Sequence, residues 1–157
     1  MALARRDGAA LVGALGLCLG VGYVGGTFSA ASVDTWYQTL DKPALNPPDA
    51  VFPVVWTALY VAMAVAAWRV WRKAGAGRAF AWFVLQLALN LGWSWLFFGM
   101  RRIDLAMAEV LVLLAAIAMT WLAFRRVDRW AGYLFLPYLA WVGFATYLNA
   151  GLLMLND

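Results

Sequence analysis

Apolar residues fill this chain in five long blocks, at roughly 8–29, 50–71, 79–100, 104–124 and 130–154, with short polar breaks between most of them. Each block is about twenty residues long, the length an α-helix needs to cross a hydrocarbon layer about 30 Å thick. Backbone inside hydrocarbon must satisfy its own hydrogen bonds, and no block shows the alternation of a membrane β-barrel strand, so all five are predicted to be helices. The breaks Arg72–Arg78, Met100–Asp104 and Arg125–Arg129 are too short for anything but antiparallel neighbours. The expected fold is an all-α integral membrane protein, a single domain over 1–157, with five transmembrane helices in an antiparallel bundle. The first block has a second reading, because Arg5-Arg6, the apolar stretch and Ser29-Ala30-Ala31 also resemble the regions of a signal peptide. Its apolar run exceeds the usual 7–15 residues of such a peptide, so a helix is expected. Gly16-x-x-x-Gly20 and Gly22-x-x-x-Gly26 suit close helix packing, although glycine is also common in membrane helices generally.

One connection breaks the rule of short links. Residues 30–49 carry Trp36, Tyr37, Lys42, Pro43, Pro47 and Pro48. Each proline fixes its own φ and pushes its predecessor toward extended geometry, so the segment is stiff and shaped. A shaped aromatic loop between membrane helices is predicted to act as a lid over a ligand site.

Composition supports a bilayer location: 66% of residues are hydrophobic and 13% charged, against about 45–50% apolar and about 25% charged in soluble domains. The chain has no histidine and a single cysteine, Cys18. That removes the commonest general base and metal ligand and rules out an internal disulfide. No carboxylate pair, Ser-His-Asp set or phosphate-cradling glycine loop occurs, so hydrolytic or metal catalysis has no visible apparatus. Of the twelve Lys and Arg residues, nine fall with the N-terminus and the second and fourth connections; Lys42, Arg101 and Arg102 fall on the other side. The positive-inside rule then places the N-terminus in the cytoplasm and the proline loop and C-terminus outside. The net charge of +4 sits at helix ends and signals topology; no nucleic-acid partner is expected.

Polar and aromatic groups inside the blocks fall on stripes. Gln86, Asn90, Trp93 and Phe97 share one face of the third, Tyr138, Trp141, Ala145 and Asn149 one face of the fifth, and Phe52, Trp56, Tyr60 and Met63 one face of the second. Three such faces could converge on a flat-walled apolar cavity with a few hydrogen-bonding groups, the usual make-up of a small-molecule pocket. The alternative is that the amides tie helices together and the tryptophans form interfacial belts; Trp36, Trp71 and Trp130, near block ends, read as belt residues. Glu109 is the one acid well inside a block, and its distance of seven residues from Arg102 suggests pairing or snorkelling.

Taken together the motifs resemble the TspO family, the tryptophan-rich sensory or translocator proteins that include the peripheral benzodiazepine receptor. They are Trp36-Tyr37-x-x-Leu40-x-Lys42-Pro43, Pro47-Pro48, Val51-Phe52-Pro53-x-x-Trp56-x-x-Leu59-Tyr60, Asn90-x-x-Trp93, Phe97-Phe98-Gly99 and Pro137-Tyr138-Leu139-Ala140-Trp141-x-x-Phe144-Ala145-Thr146-x-Leu148-Asn149. The resemblance implies five membrane helices, a homodimer in a bacterial-type cell membrane, and a pocket for porphyrins such as protoporphyrin IX or haem and for isoquinoline or benzodiazepine drugs. It implies a sensory or regulatory role in tetrapyrrole metabolism or stress. Trp56 and Trp141 match the family's pocket tryptophans; Asn90, Trp93, Ala145 and Leu148 match other lining positions. With Tyr60 and Tyr138 these form the expected ligand set, under a lid of Trp36, Lys42, Pro43, Pro47 and Pro48.

No cofactor is required by this reading, and the porphyrin enters as ligand. Indole faces would stack on its macrocycle while its propionates stay at the mouth near Lys42. Without histidine, a metal-free porphyrin should bind at least as readily as haem. Two alternatives use the same pocket: a light- and oxygen-dependent porphyrin-degrading enzyme employing Trp56 and Trp141, and a tetrapyrrole or sterol transporter. The chain departs from the family at Leu45 and Ala50, where aromatics are usual, and at Leu105. Its C-terminal Ala150–Asp157 lacks the Tyr and Arg of the animal cholesterol-recognition stretch.

Overall fold

The computed structural model describes residues 2–157, with side chains described from residue 5 onward. It consists of five long helices: α1 (Ala2–Ala30), α2 (Val51–Ala74), α3 (Arg78–Ser94), α4 (Ile103–Val127) and α5 (Arg129–Leu155). Each is long and apolar enough to cross a membrane, α3 together with the helical turn that continues it to Gly99. The helices overrun the apolar blocks at several ends, as α2 does to include Arg72 and Lys73. Such residues extend a helix into the interface because their stems cover apolar surface while the charge reaches water.

The bundle closes on itself. α1 packs on α2 and α3, α2 on α5, α5 on α4 and α4 on α3, so the helices run α1–α2–α5–α4–α3 around the ring. Short breaks enforce two of these pairs, and small residues let them close; the third short break, Arg72–Arg78, joins α2 to α3, which touch only slightly and are not neighbours in the ring as its length had suggested. At the α4–α5 turn a Cβ on Gly132 would lie 2.6 Å from the Cβ of Arg125, so only glycine permits the approach. Gly75 ends α2 at φ 64°, the left-handed conformation favourable to glycine, and donates its N–H to the Trp71 carbonyl at 2.8 Å.

Asp128 fastens the same end of the molecule. Its side chain caps α5 by accepting the Trp130 N–H at 2.8 Å and the Ala131 N–H at 3.3 Å. It also pairs across to α2, with Lys73 Nζ at 2.8 Å and Arg69 at 3.0 Å. Burial of this carboxyl works against its ionisation, but the hydrogen bonds from Lys73, the two backbone N–H groups and Arg69 prevail and hold it down at about 2.

The opposite end is shaped differently. α3 continues into a single π-helical turn, Trp95–Gly99, in which Met100 donates to the Trp95 carbonyl at 2.8 Å. A π turn widens the helix and reorients the side chains it carries. The chain leaves it through Arg101 at φ 55°. The long loop above is anchored at several points. Ser32 Oγ donates to the Phe98 carbonyl at 2.8 Å. Asp41 N–H donates to Asn156 Oδ1 at 2.8 Å while Asn156 Nδ2 donates back to the Asp41 carbonyl at 2.9 Å. Gly151 of α5 receives the Pro43 ring, which a Cβ there would meet at 2.8 Å.

Glu109 departs from the expected pairing. Arg102 makes its ion pair with Asp104 instead, two residues away. Both Glu109 carboxylate oxygens are buried without a hydrogen-bond partner among the described residues, one of them facing Gly92 of α3.

Candidate ligand-binding cavity

Helices α1, α2, α3 and α5 and the long loop enclose a cavity of about 640 Å³. Aromatic residues supply its walls because the three stripes read in the sequence turn inward together. Phe52, Trp56 and Tyr60 come from α2, Asn90 and Trp93 from α3, and Trp141, Ala145, Leu148 and Asn149 from α5. The rings brace one another: Phe52 meets Trp141 edge-on at 5.9 Å, Trp56 lies 5.7 Å from Tyr60, and Trp93 stacks on Phe97 at 5.0 Å.

Beneath these walls lies a buried polar chain. The Tyr60 hydroxyl donates to Asn90 Oδ1 at 2.6 Å, Asn90 Nδ2 donates to the Tyr138 hydroxyl at 2.8 Å, and that hydroxyl donates to Gln86 Oε1 at 2.8 Å. Tyr138 is thus placed behind the cavity, fully buried, where it fixes the amide that lines the cavity. A second pair holds Trp93, whose Nε1 donates to Asn149 Oδ1 at 3.0 Å; Asn149 Nδ2 in turn donates to the Ile103 carbonyl at 3.1 Å. Trp141 differs from these. Its Nε1 is buried and has no partner among the described residues. A buried indole N–H without an acceptor is costly, by about 1–3 kcal/mol.

The loop residues expected to form the lid are placed beside the cavity and do not line it. Trp36 packs edge-on against Phe97 at 5.7 Å. Lys42 Nζ stands 4.7 Å from the centroid of the Tyr37 ring and donates to the Leu40 carbonyl at 3.4 Å. Pro43 packs on Gly151, the Pro47 carbonyl accepts from Asn46 Nδ2, and the Pro48 carbonyl accepts the Val51 N–H that opens α2. The loop contributes Val33, Asp34, Tyr37 and Asp49 to the lining instead. Tyr37 is buried, and its hydroxyl donates to Asn46 Oδ1 at 3.1 Å. Burial pushes that hydroxyl above the ordinary phenol range; the Asn46 bond works against the shift and the negative charge of Asp49 adds to it.

Helix α1 contributes a wall that sequence stripes did not reveal. Gly22, Gly25 and Gly26 line the cavity, and a Cβ on Gly22 would stand 2.7 Å from the Tyr60 ring. The absent side chain at 22 is what lets this ring lie against α1. The signal available in the sequence was the Gly22-x-x-x-Gly26 spacing, which marks a close approach without naming its partner.

The TspO/MBR family model matches residues 14–155. The chain is 44% identical over 146 residues to the tryptophan-rich protein TspO of Chlorobaculum tepidum, covering 90% of this chain and 92% of that protein. It is 48% identical over 123 residues to the tryptophan-rich sensory protein of Cereibacter sphaeroides, 78% of each chain. It is 38% identical over 132 residues to the human translocator protein, covering 81% of this chain and 78% of that one.

Proposed function

The chain belongs to the TspO/MBR family, and from that premise we propose that this membrane receptor-type protein binds a flat tetrapyrrole of the porphyrin class between α1, α2, α3 and α5. The observation that carries the reading is an aromatic-walled cavity of about 640 Å³ lined by Trp56, Trp93 and Trp141. Pockets for molecules of this size span about 300–1,000 Å³ and combine apolar walls with a few placed polar groups. Burial of the macrocycle against Trp56, Trp93 and Trp141 supplies the affinity, and the amides Asn90 and Asn149 supply polar groups in the lining. Isoquinoline-type drugs, apolar and flat with a carbonyl, meet the same requirements.

The same reading takes the N-terminus as cytoplasmic and the cavity mouth as facing outward, on the strength of nine cations at the N-terminal side against three at the other. It also takes the protein as a homodimer in the membrane, as the family resemblance implies. Titration of detergent-solubilised protein with protoporphyrin IX tests the proposal. Saturable quenching of tryptophan fluorescence near one equivalent per chain is expected; a linear, unsaturable response would reduce the interaction to partition into micelles.

A catalytic alternative draws on Trp56, Tyr60 and Tyr138. Trp56 lies 5.7 Å from Tyr60 and 6.2 Å from Tyr138, a run of oxidisable rings reaching the cavity. Illuminating the complex in air separates the two. A receptor consumes at most one porphyrin per chain, whereas an enzyme continues over many turnovers.

A further inference from the structure

The charged residues among those lining the cavity are both acids, Asp34 and Asp49. Asp49 is held in place: Gln38 Nε2 donates to its Oδ2 at 2.7 Å and to the Val33 carbonyl at 3.1 Å, strapping the carboxylate to the turn that carries Asp34. The nearest cations on the loops turn elsewhere. Lys42 stands over the Tyr37 ring, the Arg101 guanidinium stands 6.0 Å from the Trp36 ring, and neither residue lines the cavity. Both acids are exposed, so they belong to the mouth, while the aromatic walls belong to the interior.

We infer that Asp34 and Asp49 make the mouth select on charge, favouring tetrapyrroles or other flat aromatics whose acid groups are esterified, amidated or replaced by amines over dicarboxylates of the same core. The inference rests on the tetrapyrrole-class reading of this cavity and refines it. The macrocycle contributes the same apolar burial whether its side arms are acids or esters, so discrimination falls to the place where those arms meet water. There an anionic arm faces two carboxylates with no lining cation to offset them. Like charges at a solvent-exposed mouth weaken binding by up to about fivefold per pair. An ester or amide arm escapes the repulsion, and an ammonium arm turns it into attraction.

The test compares protoporphyrin IX with its dimethyl ester on the full chain in a nonionic detergent, for the parent and for Asp34→Asn/Asp49→Asn. The quantity read is the ratio of the two Kd values within each protein, and comparing that ratio between proteins cancels the different micelle partition of acid and ester. The Asn side chain at 49 can still accept from Gln38, so the loop keeps its strap. The parent is expected to favour the ester, with the ratio at least about threefold closer to unity in the double variant, and with the parent's ratio falling as salt is raised and charges are screened. A ratio unchanged by the double substitution overturns the inference while leaving the cavity reading intact. Failure of both compounds to bind overturns the tetrapyrrole reading, and the charge selection with it.

Discussion

Asn90 of α3 and Tyr138 of α5 are joined by a 2.8 Å hydrogen bond in which the amide donates to the phenol. The direction of this bond sets all the others. Because the Asn90 nitrogen faces Tyr138, its oxygen faces the Tyr60 hydroxyl, and because Tyr138 accepts from Asn90, its own proton goes to Gln86. Three helices are thereby registered by one chain of side-chain bonds, and its outer members, Tyr60 and Asn90, form part of the cavity wall.

Removing the central hydroxyl should therefore cost more than one bond. Tyr138→Phe leaves Asn90 Nδ2 and Gln86 Oε1 buried without these partners, which typically costs about 1–3 kcal/mol; a single side-chain bond within a membrane protein averages nearer 0.6 kcal/mol. Unfolding by sodium dodecyl sulfate, followed by circular dichroism, should show the larger loss. A variant as stable as the parent would mean the amides find other partners and the chain does not register the helices.

The two tryptophans of α5 should separate under porphyrin titration. Trp141 lines the cavity, whereas Trp130 is 55% exposed at the far end of the helix. Trp141→Phe is expected to reduce the quenching more than Trp130→Phe does and to weaken binding by about tenfold, the worth of about 1.4 kcal/mol of ring contact. Trp130→Phe should leave the Kd unchanged. Equal effects from the two would assign both residues to the lipid interface.

A methyl group on α1 should be felt in the cavity. Gly22→Ala places a Cβ where the Tyr60 ring now lies 2.7 Å away, and relief requires the ring or α1 to move. Overpacking of this kind costs about 1–3 kcal/mol, and displacing Tyr60 disturbs the wall that a ligand meets. Weaker ligand binding with retained helicity is expected. Gly20→Ala, which does not line the cavity and where no atom lies within 4 Å of a Cβ, is the control, and parallel behaviour of the two would remove the steric explanation.

Acid should loosen the end of the bundle that Asp128 fastens. Its carboxyl ionises at about 2 in the fold against an ordinary 3.8, so the folded state favours the charged form. The stabilisation is full above about pH 4 and is lost as the pH falls toward about 2. Asp128→Asn keeps a capping side chain but cannot form the pairs with Arg69 and Lys73. The stability gap between parent and variant should hold from neutral pH down to about 4 and then narrow. A gap constant down to pH 2 would mean that ionisation of this carboxyl carries none of it, and no gap at all would assign the stabilisation to the cap alone.

Cysteine labelling in a Cys18→Ala background reads the topology directly. Five spans place Asp49 and Asp157 on one side and Ala76 on the other, so membrane-impermeant reagents should reach Asp49→Cys and Asp157→Cys from the face opposite to Ala76→Cys. Labelling of Asp157→Cys and Ala76→Cys from the same face would require an even number of crossings between them.

The five helices were legible in the sequence because a bilayer imposes a coarse requirement: about twenty apolar residues per crossing, with charges at the ends. Any chain meeting it shows the pattern whatever its neighbours do, and the inward stripes of α2, α3 and α5 follow from helical periodicity in the same way. The fate of individual polar atoms depends instead on residues far apart in the chain. Asn90 could pair with any helix; the ring order that brings α5 beside α2 and α4 decides that it meets Tyr138, while Trp93 goes to Asn149 and Trp141 Nε1 is left over. Lys42 belongs to a motif that suggests a partner for an anionic ligand, yet its long stem bends over Tyr37 and leaves the mouth to Asp34 and Asp49. Glu109 takes no pairing with Arg102 because Asp104, two residues from that arginine, reaches it first. Periodicity settles which face of a helix turns inward, since it is a property of the local backbone; which atom a side chain meets there is settled when all five helices and the loop are packed together.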